Sequence, residues 1–112
     1  MNVYATECYI KRVTVYVKDP AHSEIEFEPA KGCMYERVTE NGAAPWKFFV
    51  LFPADNQSHD NPIMQEKIKC VIDTQSSDGI LRMVAIAKLN KAKVRIELAQ
   101  ENDKFNVVRI DV

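Results

Sequence analysis

Apolar and polar residues alternate with a period of two through most of this chain, and the period lengthens to that of a helix once, late in the sequence. Between Thr6 and Val17 the alternation is cleanest at its end, with Val13, Val15 and Val17 on one face and Arg12, Thr14 and Tyr16 on the other. Period two with β-branched residues predicts a strand. Asp19-Pro20 closes it, because proline cannot continue the ladder and restricts the residue before it. Ser23 to Glu28 predicts a second strand with Ile25 and Phe27 on one face and Glu24, Glu26 and Glu28 on the other. Ala30 to Glu40 predicts a short strand after a turn at Lys31-Gly32. Asn41-Gly42 is a turn signal, since both residues tolerate positive φ. Trp46 to Phe52 is apolar on both faces, which predicts a central strand covered on both sides. Pro53 stops it, Ala54 to Pro62 is a polar loop, and Glu66 to Asp73 predicts another strand with Ile68, Cys70 and Ile72 on one face.

The period changes at Ser76. Ser76, Ser77 or Asp78 can supply an N-cap oxygen, and Asp78 also suits the positive end of a helix dipole. Ile80, Leu81, Val84, Ala85 and Leu89 then fall at helical spacing, with Asn90 as the expected left-handed residue at the C-terminal end. Period two resumes in Lys93 to Leu98, where Val94, Ile96 and Leu98 point inward. Glu101-Asn102-Asp103 turns the chain, and Phe105 to Val112 returns with Val108, Ile110 and Val112 on one face. The order predicts a mainly β (α+β) single domain over residues 1–112. Its expected form is a small OB-like antiparallel barrel of five or six strands, with one helix at about residues 77–91 before a C-terminal hairpin. A curved sheet packed on one helix without closure is the alternative.

At 112 residues the chain supports one core. A formal net charge of −1 supplies no long-range attraction for nucleic acid or an anionic membrane. The charge is uneven: residues 1–66 hold six Lys/Arg against ten Asp/Glu, and residues 67–112 hold nine against six. The longest apolar run, Phe48 to Phe52, is far short of the roughly 18–20 residues that span a bilayer. Met1 leads into no basic or apolar leader, so the expected location is cytoplasmic, or secreted if a signal peptide was removed. The three cysteines, Cys8, Cys33 and Cys70, are too widely spaced for a zinc site, and their odd number argues against a disulfide framework. Buried thiols are the expectation, with a Cys33–Cys70 or Cys8–Cys33 bridge as the alternative.

The run from Ile80 to Ile96, Ile-Leu-Arg-Met-Val-Ala-Ile-Ala-Lys-Leu-Asn-Lys-Ala-Lys-Val-Arg-Ile, resembles the helix-to-strand step of the small OB-fold B subunits of AB5-type toxins, the subtilase cytotoxin group in particular. There a helix rich in Leu and Ala meets a Gly or Lys turn and then a Val-Arg-Ile strand. That family usually has a close cysteine pair upstream of the helix, whereas Cys33 and Cys70 are far apart. The resemblance implies a secreted, ring-forming, glycan-binding protein without catalysis.

Candidate chemistry is sparse. Glu24, Glu26 and Glu28 put three carboxylates on one strand face, roughly 6.5–7 Å apart, which suits a solvated face or an acidic surface for a protein partner. Asp55 to Asp60 gathers oxygen ligands and His59 but lacks the glycine and distal glutamate of an EF-hand loop, so no metal site or cofactor is expected. His22 stands at a turn, no serine lies in a nucleophile elbow, and Gly32, Gly42 and Gly79 are too isolated for a phosphate loop. Tyr35, Arg37, Trp46, Lys47 and Phe48 bring aromatic and basic side chains to mid-sheet, where such a face stacks sugars or bases, with core packing for Phe48 and ordinary strand filling for Tyr35 as the alternative. The expectation is a non-enzymatic binding module, and the resemblance to toxin B subunits implies a homo-oligomer whose ligand is a glycan. The alternatives are an intracellular inhibitor or immunity-type protein using the acidic face, and an oligonucleotide-binding module, which the missing basic excess disfavours.

Overall fold

The longest strand, β1 (Asn2–Thr14), is the hub around which the rest of the sheet is paired. The computed structural model describes residues 2–19, 22–38, 41–42, 45–55, 61–72 and 77–112. After β1 come β2 (Ser23–Pro29), a 3-10 turn at Lys31–Cys33, β3 (Met34–Arg37), β4 (Trp46–Pro53), β5 (Ile63–Gln65) and β6 (Lys69–Ile72). Helix α1 (Ser77–Leu89) and the hairpin of β7 (Val94–Glu101) and β8 (Lys104–Asp111) complete the chain. All pairs are antiparallel: β1 with β2, β4 and β7; β2 with β6; β4 with β3 and β5; and β7 with β8.

The mainly β reading holds, with a single described helix standing before a C-terminal hairpin. Two details differ from expectation. Among the described residues there are eight strands rather than five or six, the short β5 and β6 pairing along single edges of β4 and β2. The sheet also stays open, since no ladder joins β6 to β8 among the described residues. Helix α1 instead lines a groove together with both strands.

Two β-bulges decide which residues form the core. In β1, Tyr4, Thr6, Cys8 and Ile10 turn inward. A register shift between Ile10 and Arg12 then leaves Lys11 as an extra residue, and Val13 takes the inner side. In β8 the shift opposite Glu97 and Leu98 leaves Val108 as the extra residue, so Phe105 and Val107 pack on the core before it and Ile110 after it. A bulge inserts one residue and reverses the parity that follows. The expected triplet Val13, Val15 and Val17 is corrected accordingly: β1 ends at Thr14, a turn closed by the Asp19 N–H on the Tyr16 carbonyl at 3.1 Å follows, and Val15 and Val17 are exposed.

The core unites Cys8, Ile10, Ile25, Phe27, Phe49, Leu51, Ile68, Val94, Ile96 and Leu98 with Val84 and Ala87 of α1. Each large side chain fully buried there contributes about 1.5–3 kcal/mol. The expected helix stripe is corrected in part. Val84 is buried and Leu81 packs on the core, but Ile80, Ala85 and Leu89 are exposed and Ala87 takes their place. Apolar residues run around most of this helix, so spacing alone does not single out the buried arc. The helix ends with the Ala92 N–H on the Ala87 carbonyl (2.9 Å) and the Lys91 N–H on the Lys88 carbonyl (3.1 Å). That Schellman pairing places the left-handed residue at Lys91, with φ 51°, rather than at Asn90. No described helix is long and apolar enough to cross a membrane.

Candidate binding surfaces

The strand expected to be covered on both sides is covered on one. In β4 the inner residues Phe49 and Leu51 are buried, while Phe48, Val50 and Phe52 are half-buried and Trp46 is 54% exposed. Its neighbours set what lies beside each outer side chain. Tyr35 is opposite Phe48 and Arg37 opposite Trp46 across β3, and Met64 is opposite Val50 across β5. Residues paired this way share a face, with Cβ atoms roughly 4.5–5.5 Å apart. The outer face of β3–β4–β5 is therefore a platform of Tyr35, Phe48, Trp46, Val50 and Met64 with one charge, Arg37. The Tyr35 and Phe48 rings lie 6.2 Å apart at 49°, and Tyr35 and Met64 are 49% and 57% exposed.

Three of the four residues singled out from the sequence as ligand-binding, Tyr35, Arg37 and Trp46, are brought together on this platform. Lys47 is not among them. It stands opposite Glu36 on the other face of the hairpin, because neighbours along a strand point to opposite sides. Phe48, which the sequence sets beside them with core packing as the alternative, joins the platform half-buried. Val50 and Met64 carry no such signal, because nothing in a period-two pattern tells a covered face from an uncovered one and Met64 lies in a three-residue strand.

Glu24, Glu26 and Glu28 do share an outer face of β2, yet the face is not purely acidic. Glu26 is half-buried between two cations, with Arg12 Nε at 3.9 Å from one neighbouring strand and Lys69 Nζ at 3.5 Å from the other. The central carboxylate is thus already engaged within the chain. His22 is likewise engaged, its Nδ1 lying 2.7 Å from Asp19 Oδ2. Asn56 to Asp60, including His59, lie outside the described residues.

The outer face of β7–β8, by contrast, is charged and closed on itself. On β7–β8, Arg95 stands opposite Asp111 and Glu97 opposite Arg109. Arg95 Nη1 lies 3.2 Å from Glu97 Oε2 and 3.7 Å from Asp111 Oδ2. Arg109 Nη1 lies 3.6 Å from the same Glu97 oxygen, and its Nε donates to Asp111 Oδ1 at 3.0 Å. That hydrogen bond and the two nearby carboxylates raise the Arg109 pKa. Lys93 continues the pattern toward Glu7, at 2.9 Å, which raises its pKa.

All three cysteines are free thiols. Burial, then the proximity of Cys33 and Glu7, pushes the Cys8 thiol up to about 12, and burial also raises Cys70. Neither is an activated nucleophile, since the thiolate is the reactive form.

A second apolar surface was not foreseen. A groove of about 430 Å³ opens between β6, α1 and β8, lined by Val71, Ile80, Met83, Val84, Val108 and Val112 among others. The signals are present as Ile80, Met83 and Val84 on α1 and as Val108 and Ile110 of β8 with Val112 just after it, which the alternation already sets on one face, but nothing local says that these two surfaces meet. Comparison of the chain with protein families, curated proteins and solved structures finds no match.

Proposed function

We propose that this protein is a non-enzymatic binding module whose ligand surface is the outer face of β3–β4–β5, and that its ligand is a glycan. The observation that carries the reading is the company kept by Trp46. It stands exposed opposite Arg37, next along the same face to the exposed Tyr35 opposite Phe48, on a sheet face that would ordinarily be polar. A pyranose ring has an apolar C–H face, which an indole or phenol ring covers, and a rim of hydroxyls. The Arg37 guanidinium supplies only donors, which suits hydroxyl and carboxylate oxygens at that rim. An oligonucleotide needs phosphate contacts as well as stacking; Arg37 is the one cation on the platform, and Lys47 faces away. The acidic-face alternative loses its centre, because Glu26 is bridged to Arg12 and Lys69.

A shallow platform binds a single sugar weakly, and repetition in an oligomer raises the avidity. The test is a glycan array followed by calorimetry on the best binder. The chain has one tryptophan, so a change in Trp46 fluorescence reports occupancy directly. Trp46→Ala and Tyr35→Ala should each weaken binding at least about tenfold, the equivalent of one stacking contact. Binding that survives both substitutions, or no binding across the array, would overturn the reading.

A further inference from the structure

Strand β8 is paired on one side only. Among the described residues its sole ladder is with β7, so along the other edge its backbone N–H and C=O groups enter no ladder, and β6 approaches that edge without pairing to it. Natural sheets blunt such edges with lysine, proline or a cover. From Val107 to Val112 this edge has neither residue, and its flank is the apolar groove in which Val108 and Val112 are 60% and 58% exposed.

The sequence of that edge is complementary to itself. When Val108-Arg109-Ile110-Asp111-Val112 is laid antiparallel on a second copy about Ile110, Val108 falls opposite Val112 and Arg109 opposite Asp111. Each contact occurs twice, as a two-fold interface requires. The sides also agree. Arg109 and Asp111 belong to the charged outer face, where Arg95 and Glu97 already hold them. Ile110 packs toward the core, and Val108 and Val112 border the groove beside Ile80 and Met83. A one-residue shift of this register would set an apolar residue, valine or Ile110, against a charge at every position.

We propose that the β8 edge is the interface of a two-fold dimer, in which two copies pair β8 antiparallel about Ile110 and extend one sheet through both chains. Two Arg109–Asp111 pairs between copies extend the charged outer face, and the valines of each copy cover the groove of the other. The inference is independent of the glycan reading, and it would place two platforms on one particle.

Sedimentation velocity and native mass spectrometry over a range of concentrations test it. The expected result is a monomer–dimer equilibrium. Val108→Lys, at a position open enough to leave the fold and its circular dichroism unchanged, should raise the dissociation constant at least about tenfold by setting an ammonium against Val112. Adding Val112→Glu should restore dimerisation, because only this register brings residues 108 and 112 together. If Val108→Lys does not fold, Val112→Lys tests the same contact. A monomer at every concentration, a ring of higher order, a dimer indifferent to these changes, or an edge occupied only by a different protein's strand would each overturn the proposal.

Discussion

Two solvent-facing hairpin faces of this molecule solve the same problem in opposite ways. On β7–β8, Arg95, Glu97, Arg109 and Asp111 satisfy one another, and the face gains nothing by being covered. On β3–β4–β5, Tyr35, Phe48, Trp46, Val50 and Met64 have no such closure. Covering apolar surface releases about 25 cal/mol for each square ångström removed from water, so the second face carries a driving force for contact that the first lacks. The difference shows where to look for a ligand: at the face whose chemistry is incomplete in the isolated chain.

The comparison is broken most forcefully within β4 itself, whose two sides should behave as different kinds of surface. Phe49→Ala, on the buried side, should lower the unfolding free energy by about 3–5 kcal/mol, the usual cost of removing a core phenylalanine. Trp46→Ala, three residues away on the platform, should cost under about 1 kcal/mol. Urea denaturation of both variants decides the matter. A large loss for Trp46→Ala would mean that the platform is part of the core and not a surface held for a partner.

Alkaline pH separates the core from both outer faces. The Cys8 thiol has its pKa raised from 9.0 to about 12 in the fold. Below pH 9 it is protonated in both states and stability does not change on its account. Between pH 9 and 12 the unfolded thiol releases its proton while the buried one retains it, so stability falls as pH rises, by about 4 kcal/mol over the window. Lys93, whose pKa is also raised, adds to the loss above its usual range of titration in the same direction. Urea midpoints measured from pH 8 to 11 should decline, and Cys8→Ala should flatten much of that decline. An unchanged slope in Cys8→Ala would mean that the thiol is not the group responsible.

What was legible in the sequence follows from the same distinction. Regular alternation revealed β2, β7, the helix and the C-terminal hairpin, and the turn at Asn102, with φ 54°, falls where Glu101-Asn102-Asp103 announced it. Tyr35, Arg37 and Trp46 were legible as a group because cross-strand residues on one face share parity. Lys47 was misplaced by one residue, which on a strand means the opposite face. The bulges at Lys11 and Val108 were not legible, since an inserted residue leaves each half of a strand looking regular while reversing its inward side. The groove was hidden by the choice among several apolar arcs on α1, since no local pattern says which arc stands beside β8. The open edge of β8 depends on which strands pair across the sheet, and no local pattern encodes that.

The smallest expected effect tests the charged face. Glu97 lies at the centre of its network, with a side chain only 17% exposed and one oxygen within reach of both Arg95 and Arg109. Glu97→Gln keeps the shape and the acceptor oxygen but removes the charge. Since both arginines remain substantially exposed, the loss at low salt should be about 0.5–1 kcal/mol. At 1 M salt, where the screening length is about 3 Å, most of that loss should vanish, whereas the effect of Trp46→Ala on ligand binding should not weaken with salt, because stacking carries it. Thermal melts of Glu97→Gln at both salt concentrations make the measurement. A loss that persisted undiminished at high salt would mean that shape and packing, not mutual charge satisfaction, close the β7–β8 face, and the contrast with the platform would then rest on burial alone.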